Sequence, residues 1–390
     1  MAKGYRLAVA LLTLAVILGS VRACQLVRQS GQPVGEAQED IDPGEVGLTL
    51  RDVTLEQPDE TGQLLWRVKA KEVTYSPDRE VAQLKEPDGE LFQDGEIIHR
   101  VQADQGEIRE NGKVVFLWGN IVATGVQNQA VLRGNELEWR PDEDMLVVRD
   151  RITGTHPQLR AAAQEVRVYN REARMELEGN VVANTVVKDP QAEPWLKLQA
   201  DQMVWFWQQE RVETDRPLRV EQFKANSITD VVTGQRGTVD LAQRIVTLNQ
   251  NVALQLLEFP LQVNSDVAVW NVAQQTVQID SPVRMIQPRE QVVVTADRGQ
   301  MDLGQQTVLL TQNVRAQGER NQSQLTTNRL SWNVEDQTIV AEGDVNYQQG
   351  DPAVQVTGPR AVGQLRDQTI VVSGGRVVTQ ILPNGTIELP

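Results

Sequence analysis

A step of seventeen residues recurs along most of this chain. It joins Asp104 to Ile121, Asn135 to Ile152, Gln164 to Val181, Asp201 to Leu218 and Gln235 to Val252. It continues from Asp266 to Val283, Asp297 to Val314 and Asn328 to Val345, with Lys71 to Asp88 before the series and Arg360 to Val377 after it. Successive anchors from Ile121 lie 31, 29, 37, 34, 31, 31, 31 and 32 residues apart, so ten units fill the chain from about residue 70 to its end. A unit of this size cannot bury its apolar face alone and must stack on its neighbours.

With the first residue of each step as zero, position four holds Tyr75, Ile108, Trp139, Trp205, Trp270 and Trp332 in six of the units. Position eleven holds Val115, Leu146, Val246, Val277, Val308 and Ile339, and Val371 in the last unit; position thirteen is usually apolar too, as at Leu117. Apolar residues at period two mark half-buried strands. Turn formers such as "ENGK" and "PDED" sit between positions six and eleven. The apolar pattern is mirrored about them, which predicts an antiparallel hairpin with its turn near position eight or nine. Position zero would then face seventeen, four would face thirteen, and six would face eleven.

The returning arm carries a second signal. "VVFLWGNIVATG" (114–125) and "MELEGNVVANT" (175–185) each interrupt an apolar run at Gly-Asn. Position sixteen is Asn120, Asn180, Asn251 and Asn313 in four units, while Pro87, Pro217 and Pro282 stand near the same place in others. Gly and Asn tolerate positive φ or a bulge, and Pro breaks a ladder, so the arm is expected to turn a corner there. Bent hairpins stacked side by side predict an all-β, open antiparallel β-jelly-roll, two sheets folded over a crease and built of about ten tandem hairpins. A parallel β-helix also repeats and is rich in Val and Asn, but the mirror symmetry favours hairpins. The aromatic residues at position four fall in alternate units, a longer period of about 62 residues.

The formal charge is −15 and no stretch gathers Lys or Arg, which argues against a nucleic-acid partner. Two histidines, His99 and His156, and one cysteine, Cys24, leave no basis for a disulfide framework or a His/Cys metal site. No cofactor is expected. Lys3 and Arg6 precede the apolar run Leu7–Val21. This pattern fits either a signal cleaved and lipidated at Cys24 or an uncleaved single-pass membrane helix. Residues 1–24 are therefore read as the anchor, 25–46 as a polar linker containing "GEAQEDIDPGE", and 47–390 as the repeat region, held outside the cytoplasm.

Residues 66–125, "WRVKAKEVTYSPDREVAQLKEPDGELFQDGEIIHRVQADQGEIRENGKVVFLWGNIVATG", resemble the periplasmic lipopolysaccharide-transport family LptC and its LptA/OstA-like relatives. The shared features are W-x-V-x-A with a later Tyr, L-x-x-P followed by "LF" and Gly, A-x-x-G-x-I, and the L-x-G-N-V corner. Residues 47–186 are the most LptC-like, and 187–390 are further repeats of an extended member. The resemblance implies a non-enzymatic export component at the inner membrane. It would take lipopolysaccharide from an inner-membrane ABC transporter, bind the lipid A acyl chains in its interior, and meet an LptA-like or outer-membrane LptD-like partner by edge-strand pairing.

The residues at positions four, eleven and thirteen are the candidate groove lining; they serve equally as plain core in a structural or adhesive β-repeat protein with a dry interior. Asn120, Asn180, Asn251 and Asn313 read as structural corners. His99 and His156 have no nucleophile or second ligand at motif spacing, and a polysaccharide-acting enzyme on a β-helix has no positive support in the sequence.

Overall fold

The computed structural model describes residues 48–258, 260–320, 322–350, 353–367 and 369–381. The expected membrane anchor with Cys24, and the linker, lie outside the described residues. Among those described, no helix is long and apolar enough to cross a membrane.

The described residues form one compact unit. Its 28 strands make a single sheet in which chain neighbours pair antiparallel, from Thr49–Pro58 at one end to Thr369–Ser373 and Val378–Ile381 at the other. Many of the 28 are halves of longer strands. Ala82–Lys85 and Asp88–Gln93 both pair with Leu64–Tyr75. Arg211–Thr214 and Leu218–Lys224 both pair with Trp195–Phe206, and Thr276–Ile279 and Val283–Gln287 with Leu261–Asn271. Pro87, Pro217 and Pro282 stand in these three gaps, where a residue without an N–H can sit at no cost to the ladder.

Elsewhere the strand bends without breaking. In Val114–Gly125 against Val131–Arg140, Trp118 pairs with Glu136 and Ile121 with Gly134, so Gly119 and Asn120 together face Asn135. Both bulge residues are left-handed, at φ 80° and 46°. The same two-against-one bulge places Gly179–Asn180 against Asp201, Gln250–Asn251 against Asp266, and Gln312–Asn313 against Asn328. Asn180, Asn251 and Asn313 take φ 48°, 53° and 51°. Asn occupies this region more readily than other non-Gly residues, and the extra residue sharpens the local twist. A ladder of such bulges bends the whole sheet along one line. Its outer side is polar: Asn120 Nδ2 donates to Asp104 Oδ2 at 2.7 Å, and Asn313 Nδ2 to Asp297 Oδ2 at 2.6 Å.

The structure corrects the expected register. Position four pairs with eleven, not thirteen: Ile108 with Val115, Trp139 with Leu146, Trp270 with Val277 and Trp332 with Ile339. Position zero meets the bulge rather than position seventeen, as the Asp104 N–H donating to Gly119 O at 3.0 Å shows. The turn falls one residue earlier than the mirror pattern places it, and the bulge adds its extra residue only on the far side, where Gln102 pairs with Val122. The last unit also departs from its expected parity. Val362 pairs with Val371, and Ile370 and Val372 pack inward while Val371 is 64% exposed.

Folding at the crease brings two half-sheets face to face. One carries Trp139, Trp205, Trp270 and Trp332. Its hairpin turns form a rim in which each turn is tied to the next: Leu241 N–H donates to Glu210 O, Val272 to Arg244, Leu303 to Gln275 and Val334 to Gln306, at 2.8 to 3.0 Å. Those acceptor residues are left-handed, at φ 50° to 57°. Between the half-sheets a single apolar cluster runs unbroken from Trp66 to Ala361.

Candidate functional site between the half-sheets

The residues read from sequence as groove lining converge on this interior. Ile108, Val115, Leu117, Trp139, Leu146, Trp205, Val246, Trp270, Val277, Val308, Trp332 and Ile339 are all buried in the one cluster, and Tyr75 packs against it half-buried. Each long strand presents alternate residues inward, so both half-sheets contribute walls of Val, Leu, Ile, Met and Trp. Asn120, Asn180, Asn251 and Asn313 lie on the exposed outside of the crease, away from the interior.

The interior is nearly full. An apolar cavity of about 40 Å³ is lined by Ala163, Met203, Trp205 and their neighbours, and another of about 90 Å³ by Ala316, Leu325, Ile339 and Tyr347. Ala130, Gly154 and Ala161 in the lining of the first stand where most other units carry larger residues.

The rims opposite the crease are bridged, which the sequence pattern did not disclose. Trp66 Nε1 donates to Gly112 O at 2.7 Å, and Gln93 Nε2 to Asp144 Oδ1 at 2.8 Å. His99 Nε2 lies 2.9 Å from Asn170 Oδ1, Gln158 Nε2 donates to Glu210 Oε2 at 2.6 Å, and Arg244 Nη2 to Pro194 O at 2.5 Å. In each pair one partner comes from either rim, 46 to 71 residues away in sequence. No local motif marks these pairs, because the offset is set by the twist of the stacked sheet. The one available signal was His99 within the apolar run of "EIIHRV".

Burial governs the titratable groups along these rims. His99 is pulled down to about 4 by desolvation, against the opposing effect of its bond to Asn170. Burial also raises Asp144, although the Arg171 N–H and Gln93 both donate to it. In the strand Ser227–Gly234, burial pushes Asp230 up to about 6 even though the Thr229 hydroxyl donates to it at 2.8 Å. The outward face is different in kind: Arg149 bridges Glu138 and Glu165, each at 3.0 Å, and such cross-strand pairs keep it wet.

Among the described residues, the buried polar atoms without a partner include one recurrent group. The indole Nε1 groups of Trp139, Trp205, Trp270 and Trp332 are buried and make no hydrogen bond. A buried donor left unsatisfied costs about 1–3 kcal/mol.

A family profile described as LptC, lipopolysaccharide-assembly, LptC-related, matches residues 11–186 and 287–380. The chain belongs to that family. Among solved structures, it is similar to LptH of Pseudomonas aeruginosa, described as the LptA homologous periplasmic component of the conserved lipopolysaccharide transport device. The two share 12% identity at a TM-score of 0.30, over 34% of this chain and 96% of LptH. No curated protein sequence matches the chain. Membership in the LptC-related family ties the folded-over sheet to lipopolysaccharide assembly.

Proposed function

We propose that this protein carries lipopolysaccharide across the periplasm, holding the acyl chains between its half-sheets while the sugar headgroup stays in water. Its N-terminal segment anchors it in the inner membrane beside an ABC transporter that supplies the lipid. The end strands hand the lipid on, by edge pairing with an LptA-like or LptD-like partner toward the outer membrane. The observation that carries this reading is the unbroken apolar cluster running the length of the stack in a family devoted to lipopolysaccharide assembly.

Energetics support entry between the rims. Cavities of about 40 and 90 Å³ are far too small for an acyl chain, so the half-sheets must part. Breaking five cross-rim hydrogen bonds costs roughly 3 to 7 kcal/mol in all. Burying one acyl chain of about twelve methylenes returns about 10 kcal/mol. Wall residues exchange contacts with each other for contacts with lipid, a nearly even trade. Walls built mainly of aliphatic side chains also lack any deep specific site, as passage requires.

Photo-crosslinking in cells tests the reading. Probes at Val115, Val246, Val308 and Ile339 are compared with outward Glu136 and Arg315. Lipopolysaccharide adducts at the inward sites only, dependent on ATP, are expected. A folded protein without adducts at any inward site would leave a dry structural repeat.

A further inference from the structure

The four unpartnered indoles occupy one equivalent place in the fold. Each stands at position four of its unit, on the same half-sheet, paired across the hairpin with an aliphatic residue: Leu146, Val212, Val277 or Ile339. Each tryptophan strand is the fourth after the previous one, a spacing of about 19 Å along the stack. All four Nε1 atoms are buried and without an acceptor. The fold does satisfy indoles elsewhere. Trp66 Nε1 reaches Gly112 O, and on the outer face Trp118 Nε1 reaches Gln105 Oε1 at 2.8 Å. Four repeats of the same unsatisfied donor, in walls built mainly of aliphatic side chains, mark a role that requires a guest.

We infer that Trp139, Trp205, Trp270 and Trp332 form a ladder of hydrogen-bond donors for the ester or amide carbonyls by which acyl chains are attached to a lipid in transit.

The chemistry selects that acceptor. A phosphate or carboxylate stripped of water needs a cation beside it, and among the described residues the buried polar and charged set contains no Lys or Arg. A pure hydrocarbon offers no acceptor. An acyl carbonyl is neutral, accepts strongly, and enters an apolar space with the chain that bears it. At Trp205 there is already room beside the ring, since it lines the cavity formed by Ala161, Ala162 and Ala163. Single donors at wide intervals let one carbonyl be released as the next is reached, so the ladder gives a lipid preferred stations without a trap.

This inference rests on the transport reading, and the experiment separates the two. The full chain is labelled with ¹⁵N at the indoles and titrated with diheptanoyl phosphatidylcholine or its diheptyl ether analogue, both kept below their micellar concentrations. The expected result is a downfield shift of the Nε1–H resonances of the four ladder tryptophans with the ester and not with the ether, with Trp66 unmoved. Replacing Trp205 by the benzothienyl analogue, which keeps the ring shape without the N–H, is expected to weaken ester binding about three- to tenfold and leave ether binding unchanged. Equal shifts with ester and ether would overturn the ladder and leave a lipid-holding interior standing. Absence of binding by either lipid would overturn both.

Discussion

Trp66 reaches across the mouth of the folded sheet and donates its indole N–H to the carbonyl of Gly112, which lies in a turn on the facing rim. The bond joins the two half-sheets where only side chains can hold them, since the backbone ladder runs through the crease on the far side. Trp66 is 3% exposed, so its partner is not readily replaced by water. Trp66→Phe keeps an aromatic ring and removes the donor. Stability should fall by about 2 kcal/mol in urea titrations, combining the lost bond and the smaller ring. Amide exchange should accelerate around residues 110–114 while the crease stays protected.

The left-handed bulge makes Asn120 replaceable in one direction only. At φ 46°, with its side chain on Asp104, it combines a backbone requirement with one exposed hydrogen bond. Asn120→Gly satisfies the backbone and should shift stability by less than about 1 kcal/mol. Asn120→Val forces a β-branched residue into αL and should cost about 2 kcal/mol or more. Equal midpoints for the two variants in thermal denaturation would mean that the bulge relaxes without penalty.

The contrast between these two residues shows what the sequence makes legible. The inward positions repeat with period two and the corners repeat as Gly-Asn or Pro, so strand order, antiparallel hairpins and the crease follow from pattern alone. The register does not, because the turn falls one residue earlier than the mirror pattern places it and one extra residue per bulge is invisible until two residues are seen to face one, as Gly119 and Asn120 face Asn135. Trp66 and Gly112 carry no mutual signal at all. Their meeting depends on the accumulated twist of the sheet, which no unit encodes by itself. The position-four tryptophans were legible as inward residues, whereas their unpartnered N–H groups required atoms.

Asp230 gives the stability curve a definite sign. Its folded value is raised to about 6 from an ordinary 3.8, so between those pH values the folded state holds a proton that the unfolded chain has released. The contribution is greatest below pH 4 and disappears as pH rises through 6, a loss on the order of 2 to 3 kcal/mol. Asp230→Asn should remove this slope and gain stability at pH 7. Urea midpoints for both proteins between pH 4 and 7.5 would show it, and parallel curves would refute it.

His99 acts in the opposite sense. It is buried and depressed to about 4 from 6.5, so the unfolded chain takes up the proton first as pH falls. Its share of stability is complete above pH 6.5 and is lost toward pH 4, on the order of 3 kcal/mol. His99→Gln keeps a group able to reach Asn170 and should flatten that acid limb while leaving the Asp230 limb in place. A ring-proton titration by NMR in the native protein gives an independent reading, and a midpoint near 6.5 would refute the assignment.

Ala163 separates a dry core from a lipid path in a single substitution. It lines the cavity of about 40 Å³ beside Trp205, in the units between Val115 and Val246. Ala163→Leu adds three carbons to that space. At about 24 cal/mol per Å³ of cavity, filling it can gain at most about 1 kcal/mol, and slight overpacking offsets part of the gain. The melting temperature should therefore stay within a few degrees of the parent. A dry structural repeat would show nothing more. Where lipid passes between the half-sheets, the bulkier wall narrows the route at this unit. Crosslinked lipopolysaccharide should then persist at Val115 and fall several-fold at Val246 and Val308. Unchanged adducts at all three sites would mean that the route does not run past Ala163.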